Sequence, residues 1–229
     1  MRFGIVVFPG SNCDEDAYHA AKDVFGQDAE YLWHKDTDLK GADVVILPGG
    51  FAHGDYLRTG AMARFSPIMR EVAAFADRGG PVLGICNGFQ VLTEAGLLPG
   101  VLMRNATLKF ICKDVHLKVE RTDTAFTRHY AKREVVRFPI AHKDGSYFAD
   151  EATLDRLEGE GQVAFRYCET DGRITAAANP NGSRRNIAGV YNETRTVLGL
   201  MPHPERLADA ALGGTDGIKM FLSLVETLN

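Results

Sequence analysis

Residues 81–95 constrain this chain more tightly than any other stretch. The apolar run Pro81-Val82-Leu83-Gly84-Ile85 predicts a buried parallel strand. It ends at Cys86, which has a glycine two residues away on either side, and Asn87–Ala95 follows with helical spacing. Strand, sharp turn and helix around Gly-x-Cys-x-Gly is the nucleophile-elbow arrangement, with sulfur in place of a serine oxygen. A turn that lifts Cβ out of a strand leaves no room for side chains beside it, hence glycine at 84 and 88. The helix then directs its positive N-terminal end at the sulfur and favours thiolate. Cys86 is the candidate nucleophile. Alone, the motif also fits a small buried cysteine, so the rest of the chain must decide.

The elbow sits in a repeating pattern of short apolar runs and helix-like stretches. Phe3–Phe8, Ala29–Trp33 and Val44–Leu47 read as strands, with a helix through about Phe25 and another over Pro67–Arg78. The alternation predicts an α/β fold, an open, mostly parallel sheet with helices on both faces. After Gly100 the character changes. Phe110–Val119, Val135–Ile140 and Val163–Tyr167 look like a small antiparallel extension, followed by strands Ile187–Tyr191 and Val197–Leu200 and a closing helix Gly217–Leu228. No linker-like or low-complexity segment interrupts the chain, so residues 1–229 are expected to form a single domain.

Composition excludes several classes of function. With 26 Lys and Arg against 30 Asp and Glu, the net charge of −4 supplies no basic field for nucleic acid or acidic membranes. No apolar run approaches the length of a membrane span, and the N-terminus lacks a cleavage-site pattern. Cys13, Cys86, Cys112 and Cys168 lack Cys-x-x-Cys spacing, which argues against a zinc site or disulfide scaffold and for a reducing, cytoplasmic compartment. The Asn-x-Ser/Thr triplets at Asn105, Asn181 and Asn192 are then chance matches. Gly159–Ala164 matches a degenerate dinucleotide fingerprint but precedes a strand instead of opening a helix.

A thiol nucleophile needs a base, an orienting group and oxyanion donors. Met201-Pro202-His203-Pro204-Glu205 follows the apolar strand Val197–Leu200, and open α/β sheets assemble sites beyond the carboxyl ends of their strands. Residues before proline are pushed to extended backbone, so His203 and Glu205 are expected on one face of an extended segment. Glu205 would then hold the imidazole while its other nitrogen meets Cys86. The backbone N–H of Asn87 is one candidate oxyanion donor. The loop Leu47-Pro48-Gly49-Gly50-Phe51 offers a second. His34, His116 and His129 have no metal-ligand spacing, and His53 and Asp55 lie in the glycine-rich loop 49–60.

Leu47-Pro48-Gly49-Gly50, Gly84–Gln90 and His203-Pro204-Glu205 together resemble the class I (triad) glutamine amidotransferases. Phe8–Asp14, Gly50–Arg58, Asn179–Ser183, Gly199–Arg206 and Gly214–Gly217 narrow the resemblance to the branch that serves de novo purine biosynthesis, over essentially the whole chain. It implies a flavodoxin-like fold in which Cys86 forms a γ-glutamyl thioester, His203 is acid and base, and Glu205 orients it. Gly50 and Asn87 would be oxyanion donors, with Phe51 and Gln90 also contacting L-glutamine. Two departures stand out: Lys143-Asp144 where the family has Gly-Glu, and Arg184-Arg185 lengthening the loop after Ser183. Both are expected to lie away from the triad.

The chain has no Gly-x-x-x-x-Gly-Lys-Ser/Thr loop and too little length for a separate ATP-binding domain. No metal and no cofactor are expected in it. The resemblance therefore implies a partner: a large synthetase subunit using ATP and Mg, with a small bridging subunit. That partner would take the ammonia and convert formylglycinamide ribonucleotide to its amidine. The residues alone leave two other readings open, a thiol hydrolase of the α/β-hydrolase type and a catalytically silent binding module.

Overall fold

The computed structural model describes residues 1–228. In chain order its strands are β1 Arg2–Val7, β2 Asp28–Trp33, β3 Val44–Leu47, β4 Val82–Ile85, β5 Val101–Met103, β6 Ile111–Val119, β7 Val135–His142, β8 Ser146–Phe148, β9 Val163–Cys168, β10 Ile187–Tyr191 and β11 Val197–Leu200. The helices are α1 Asp14–His19, α2 Pro67–Asp77, α3 Asn87–Glu94, α4 Glu151–Gly159 and α5 Ile218–Leu228.

Nine strands form one sheet in the order β2-β1-β3-β4-β11-β10-β9-β6-β7. The first five run parallel, in the spatial order of a doubly wound fold. Consecutive residues of β3, β4 and β11 are all buried, so layers cover both faces of the sheet there. That is why these strands read as unbroken apolar runs. From β10 onward pairing turns antiparallel, and β7 alternates buried with half-buried residues, as a sheet with one wetter face should. The antiparallel extension therefore continues the main sheet; β5 and β8 pair separately.

The predicted helix through Phe25 is α1 followed by a π-helical turn, Ala20–Val24. Three elements are absent from the sequence reading: β5, β8 and α4. The two strands are three residues long, too short to show a period. α4 is weakly apolar but carries a start signal, since Asp150 accepts a 2.7 Å hydrogen bond from Thr153 N–H. Asn105 and Asn181 are fully buried, as chance glycosylation triplets can be. Arg184 and Arg185 are tied to α4 through Glu151, Asp155 and Glu158. Among the described residues no helix is long and apolar enough to cross a membrane.

α3 lies unusually close to the sheet. A Cβ on Gly88 would stand 1.9 Å from the Leu47 carbonyl oxygen, and one on Gly84 2.4 Å from Leu92 Cδ1. Leu47 O belongs to the backbone and cannot swing aside. Gly88→Ala should therefore lower stability by about 1–3 kcal/mol or prevent folding. Gly159→Ala, with nothing within 4 Å, should change it by less than about 1 kcal/mol. Chemical denaturation of both variants checks this; equal effects would contradict it.

Candidate active site

Cys86 ends β4 with φ 52° and ψ −105°, a left-handed conformation that a side-chain-bearing residue adopts at a cost of about 1–3 kcal/mol. Its N–H donates to Leu200 O at 2.8 Å, and its carbonyl accepts from Gln90 N–H at 3.2 Å. The elbow is thus held by the neighbouring strand and by its own helix. The residue is 5 % exposed, its thiol approaches Ala141 O at 3.8 Å, and it lines two cavities.

His203 and Glu205 are each 1 % exposed, and Nδ1 and Oε1 are 2.6 Å apart. They meet by a route other than the extended segment expected. His203 is extended, but Pro204 opens a 3₁₀ turn, Pro204–Leu207, because proline's fixed φ suits a first helical position. The turn folds Glu205 back onto the ring. Burial alone would lower the imidazole pKa; the Glu205 charge, the nearby Cys86 sulfur and the hydrogen bond to Glu205 together outweigh it and raise it to about 10. With Nδ1–H directed at the carboxylate, Nε2 is the nitrogen left for chemistry. It is buried, completes no hydrogen bond, and has Cys86 near enough to raise its proton affinity.

The glycine loop completes the frame. Gly50 has φ 141°, and a Cβ there would lie 2.8 Å from Asn12 N and Ser11 Cα. Asn87 opens α3, so its N–H is one of the donors a helix start leaves free. Its side chain staples the loop to the elbow. Oδ1 accepts from Ala52 N–H at 3.0 Å, while Nδ2 donates to Gln90 Oε1 at 2.8 Å and approaches Asp55 Oδ1 at 3.4 Å. Gln90 in turn donates to Asp144 O at 2.5 Å, so both ends of its amide are engaged.

Of the sequence-derived candidates, Gly50, Phe51, Cys86 and Gln90 line one cavity of about 610 Å³, joined there by Asp55 and Asp144. Lys143 also lines it. The expectation that 143–144 lies away from the triad is therefore corrected: β7 runs two residues beyond Ile140, to His142, and delivers the next residues to the cavity. A smaller cavity of about 190 Å³ lies on the His203 side, lined by Asn12, Cys13, Cys86, His203 and Arg206 among others. Burial, then the Glu205 charge, pushes the Cys13 thiol up to about 12, which disfavours its thiolate, with Arg206 Nη2 3.0 Å from the sulfur. Cys13, His142 and Arg206 were not singled out as site residues. Nothing in their local spacing marks them, because they come from distant segments: the residue before α1, the end of β7 and the 3₁₀ turn after His203. Among the described residues no group of three or more His, Cys, Asp or Glu is placed to hold a metal ion.

A thiol, a buried imidazole–carboxylate pair and two backbone donors beside a cavity suit acyl transfer from a carboxamide or ester. Comparison with known proteins narrows this. Residues 1–213 match the CobB/CobQ-like glutamine amidotransferase domain. The chain is 58% identical over 226 residues to phosphoribosylformylglycinamidine synthase subunit PurQ of Moorella thermoacetica, covering 99% of this chain and 96% of that one. It is 58% identical over 225 residues to the same subunit of Salinibacter ruber, covering 98% and 96%. A chain in the structure of PurLQS from Thermotoga maritima superposes with a TM-score of 0.88 at 45% identity, covering 100% of this chain and 99% of that one.

The buried pair predicts a pH signature. Folding raises the His203 pKa from 6.5 to about 10, so its stabilising contribution is complete below about 6.5 and is lost as pH rises through about 10. Glu205→Gln removes the charge responsible and should cost about 3 kcal/mol near pH 6.5. The stability gap from wild type should close as pH approaches 10. Unfolding measured across that range tests it; a gap that widens with pH would contradict the assignment.

Proposed function

The chain belongs to the glutamine amidotransferase family, and on that premise we propose how its residues divide the work. It is the glutaminase component of phosphoribosylformylglycinamidine synthase in purine biosynthesis, releasing ammonia from L-glutamine for the synthetase subunit with which it assembles. Residues 1–229 act as one catalytic domain, a reading supported by the continuous nine-stranded sheet.

L-Glutamine enters the larger cavity with its side-chain amide at Cys86. The thiolate adds to the amide carbon, and the developing oxyanion is met by the N–H groups of Gly50 and Asn87. His203 Nε2–H then protonates the amide nitrogen, the C–N bond breaks, and ammonia leaves a γ-glutamyl thioester on Cys86. The ring, now neutral, takes a proton from water as its oxygen attacks the thioester carbon. Collapse expels the Cys86 thiolate and frees the product carboxyl group, which gives its proton to solvent as glutamate, while His203 keeps the proton it took from water. Glu205 holds Nδ1–H throughout and never leaves its position. The observation that carries this reading is the buried His203–Glu205 pair with an unpartnered Nε2 beside a thiol on strained backbone.

Amidine formation needs activation of a poor leaving group, assigned here to ATP and Mg on the large synthetase subunit, with a small bridging subunit between the two. The chain itself uses no cofactor in this scheme and works in the cytoplasm. Phe51, Leu57, Met103 and Phe110 line the cavity and are each exposed, which suits an entrance covered by a partner surface.

Cys86→Ala should lower glutamine-dependent synthesis by the assembled complex by roughly 10⁴-fold or more. Ammonia-dependent synthesis should be spared, because that reaction occurs on the partner. Assays with glutamine and with ammonium salt at one pH check this. A parallel fall in both rates would show that the two active sites are not separate.

A further inference from the structure

The proposed glutamine cavity holds one carboxylate near its nucleophile, Asp55, that none of its basic side chains, Arg58, Arg104 and Lys143, pairs with among the described residues. Glutamine brings three groups into it: the amide at Cys86, an α-carboxylate and an α-ammonium. Of the basic side chains lining the cavity, Arg58 is committed elsewhere, since its Nε and Nη2 each bond Glu94 at 2.6 Å. Arg104 reaches Asp144 only at 3.7 Å and is largely exposed. Asp55 has no salt-bridge partner among the described residues, and its one side-chain contact is the 3.4 Å approach of Asn87 Nδ2. Burial first, then the charge of Asp144, raise the Asp55 carboxyl to about 6, partly offset by Lys143. A half-buried carboxylate with a like charge beside it and no ion pair of its own is an unfavourable arrangement unless a ligand supplies one.

A second observation agrees. His142 lines the same cavity, is 3 % exposed, and has no partner at Nε2. Its Nδ1 is 3.0 Å from Asn105 Oδ1, an oxygen that also accepts from Gly145 N–H at 3.1 Å. Nδ1 must therefore carry the proton, leaving Nε2 a bare acceptor. Burial, then the charge of His203, hold this ring's pKa down to about 4, so it stays neutral. Asp55 without an ion pair and a bare imidazole nitrogen leave acceptors in this cavity that none of its basic side chains satisfies. The α-ammonium, with three N–H donors and one positive charge, is the group of glutamine that fits.

We infer that Asp55, seconded by Asp144, binds the α-ammonium of glutamine and so selects an α-amino acid amide over a plain carboxamide. Asp55 is well placed for this role. It holds φ 54° in the glycine-rich loop, and Asn87 links it to the same helix start that frames Cys86. Position along the substrate and position of the nucleophile are thereby fixed by one side chain. The inference rests on the glutamine reading above and adds a determinant of specificity to it.

The test compares L-glutamine with 4-carbamoylbutanoate, which is glutamine lacking its amino group, on the complete chain assembled with its synthetase. Asp55→Asn should raise KM for glutamine about tenfold or more, with kcat changed less than about threefold. KM for 4-carbamoylbutanoate should move less than about threefold, so the wild-type preference for glutamine collapses. Asp144→Asn should shift the same ratio in the same direction, and it supplies the readout should Asp55→Asn fail to fold. Equal effects on the two substrates, or none on either, would overturn the assignment while leaving the glutaminase reading intact. Failure of the wild-type complex to turn over glutamine would overturn that reading itself, and the inference with it.

Discussion

The approach of α3 to the sheet is the constraint from which the rest of the site follows. With no side chain at 88 and none at 84, the helix backbone lies against Leu47 and leaves the chain no relaxed way from β4 into α3. Cys86 absorbs the change of direction at φ 52°. A cysteine in relaxed strand geometry would direct its sulfur into a layer of packed side chains; the strained turn brings it to the strand ends instead. The same proximity sets Asn87 beside the glycine loop, where its carboxamide fastens Ala52 and Gln90 to one frame. The proposed nucleophile and oxyanion donors are thus parts of a single rigid junction, which is what preorganised stabilisation of a developing charge requires.

On the other side of the sulfur stands an ion-pair partner buried to an extent that would be prohibitive without compensation. His203 and Glu205 exclude water from each other, and the carboxylate together with the Cys86 sulfur offsets the burial that would discharge the ring. Removing water strengthens the pair, and the pair keeps a proton at hand for a leaving nitrogen. Gly49 shows how closely this is built: a Cβ there would lie 2.8 Å from His203 Cε1 and 3.0 Å from Cys13 Sγ. Packing against the imidazole therefore requires the glycine of the Pro-Gly-Gly turn at 49, whatever its neighbour does for the proposed oxyanion.

Most of this was legible in the sequence because the parallel half obeys local rules. Buried strands write themselves as apolar runs such as Val44–Leu47, and the elbow announces its glycines. The His-Pro-Glu pairing was legible too, though for an incomplete reason. Proline before Glu205 acts as a helix starter, and the 3₁₀ turn brings the carboxylate home. What stayed hidden depends on contacts between distant segments. Asp144 becomes a cavity residue only because β7 pairs with β6 through His142, and Cys13 joins the site through Arg206 and Asp16. Short elements such as β5 offer too few residues for a period to emerge.

The central claim is a covalent bond between Cys86 and the glutamyl carbon, and acid-quenched mass spectrometry during turnover reads it directly. With glutamine present, the peptide carrying Cys86 should gain the mass of a γ-glutamyl group, while those carrying Cys13, Cys112 and Cys168 stay unmodified. Ammonia release with no adduct on Cys86, or with the adduct on another cysteine, would contradict the account.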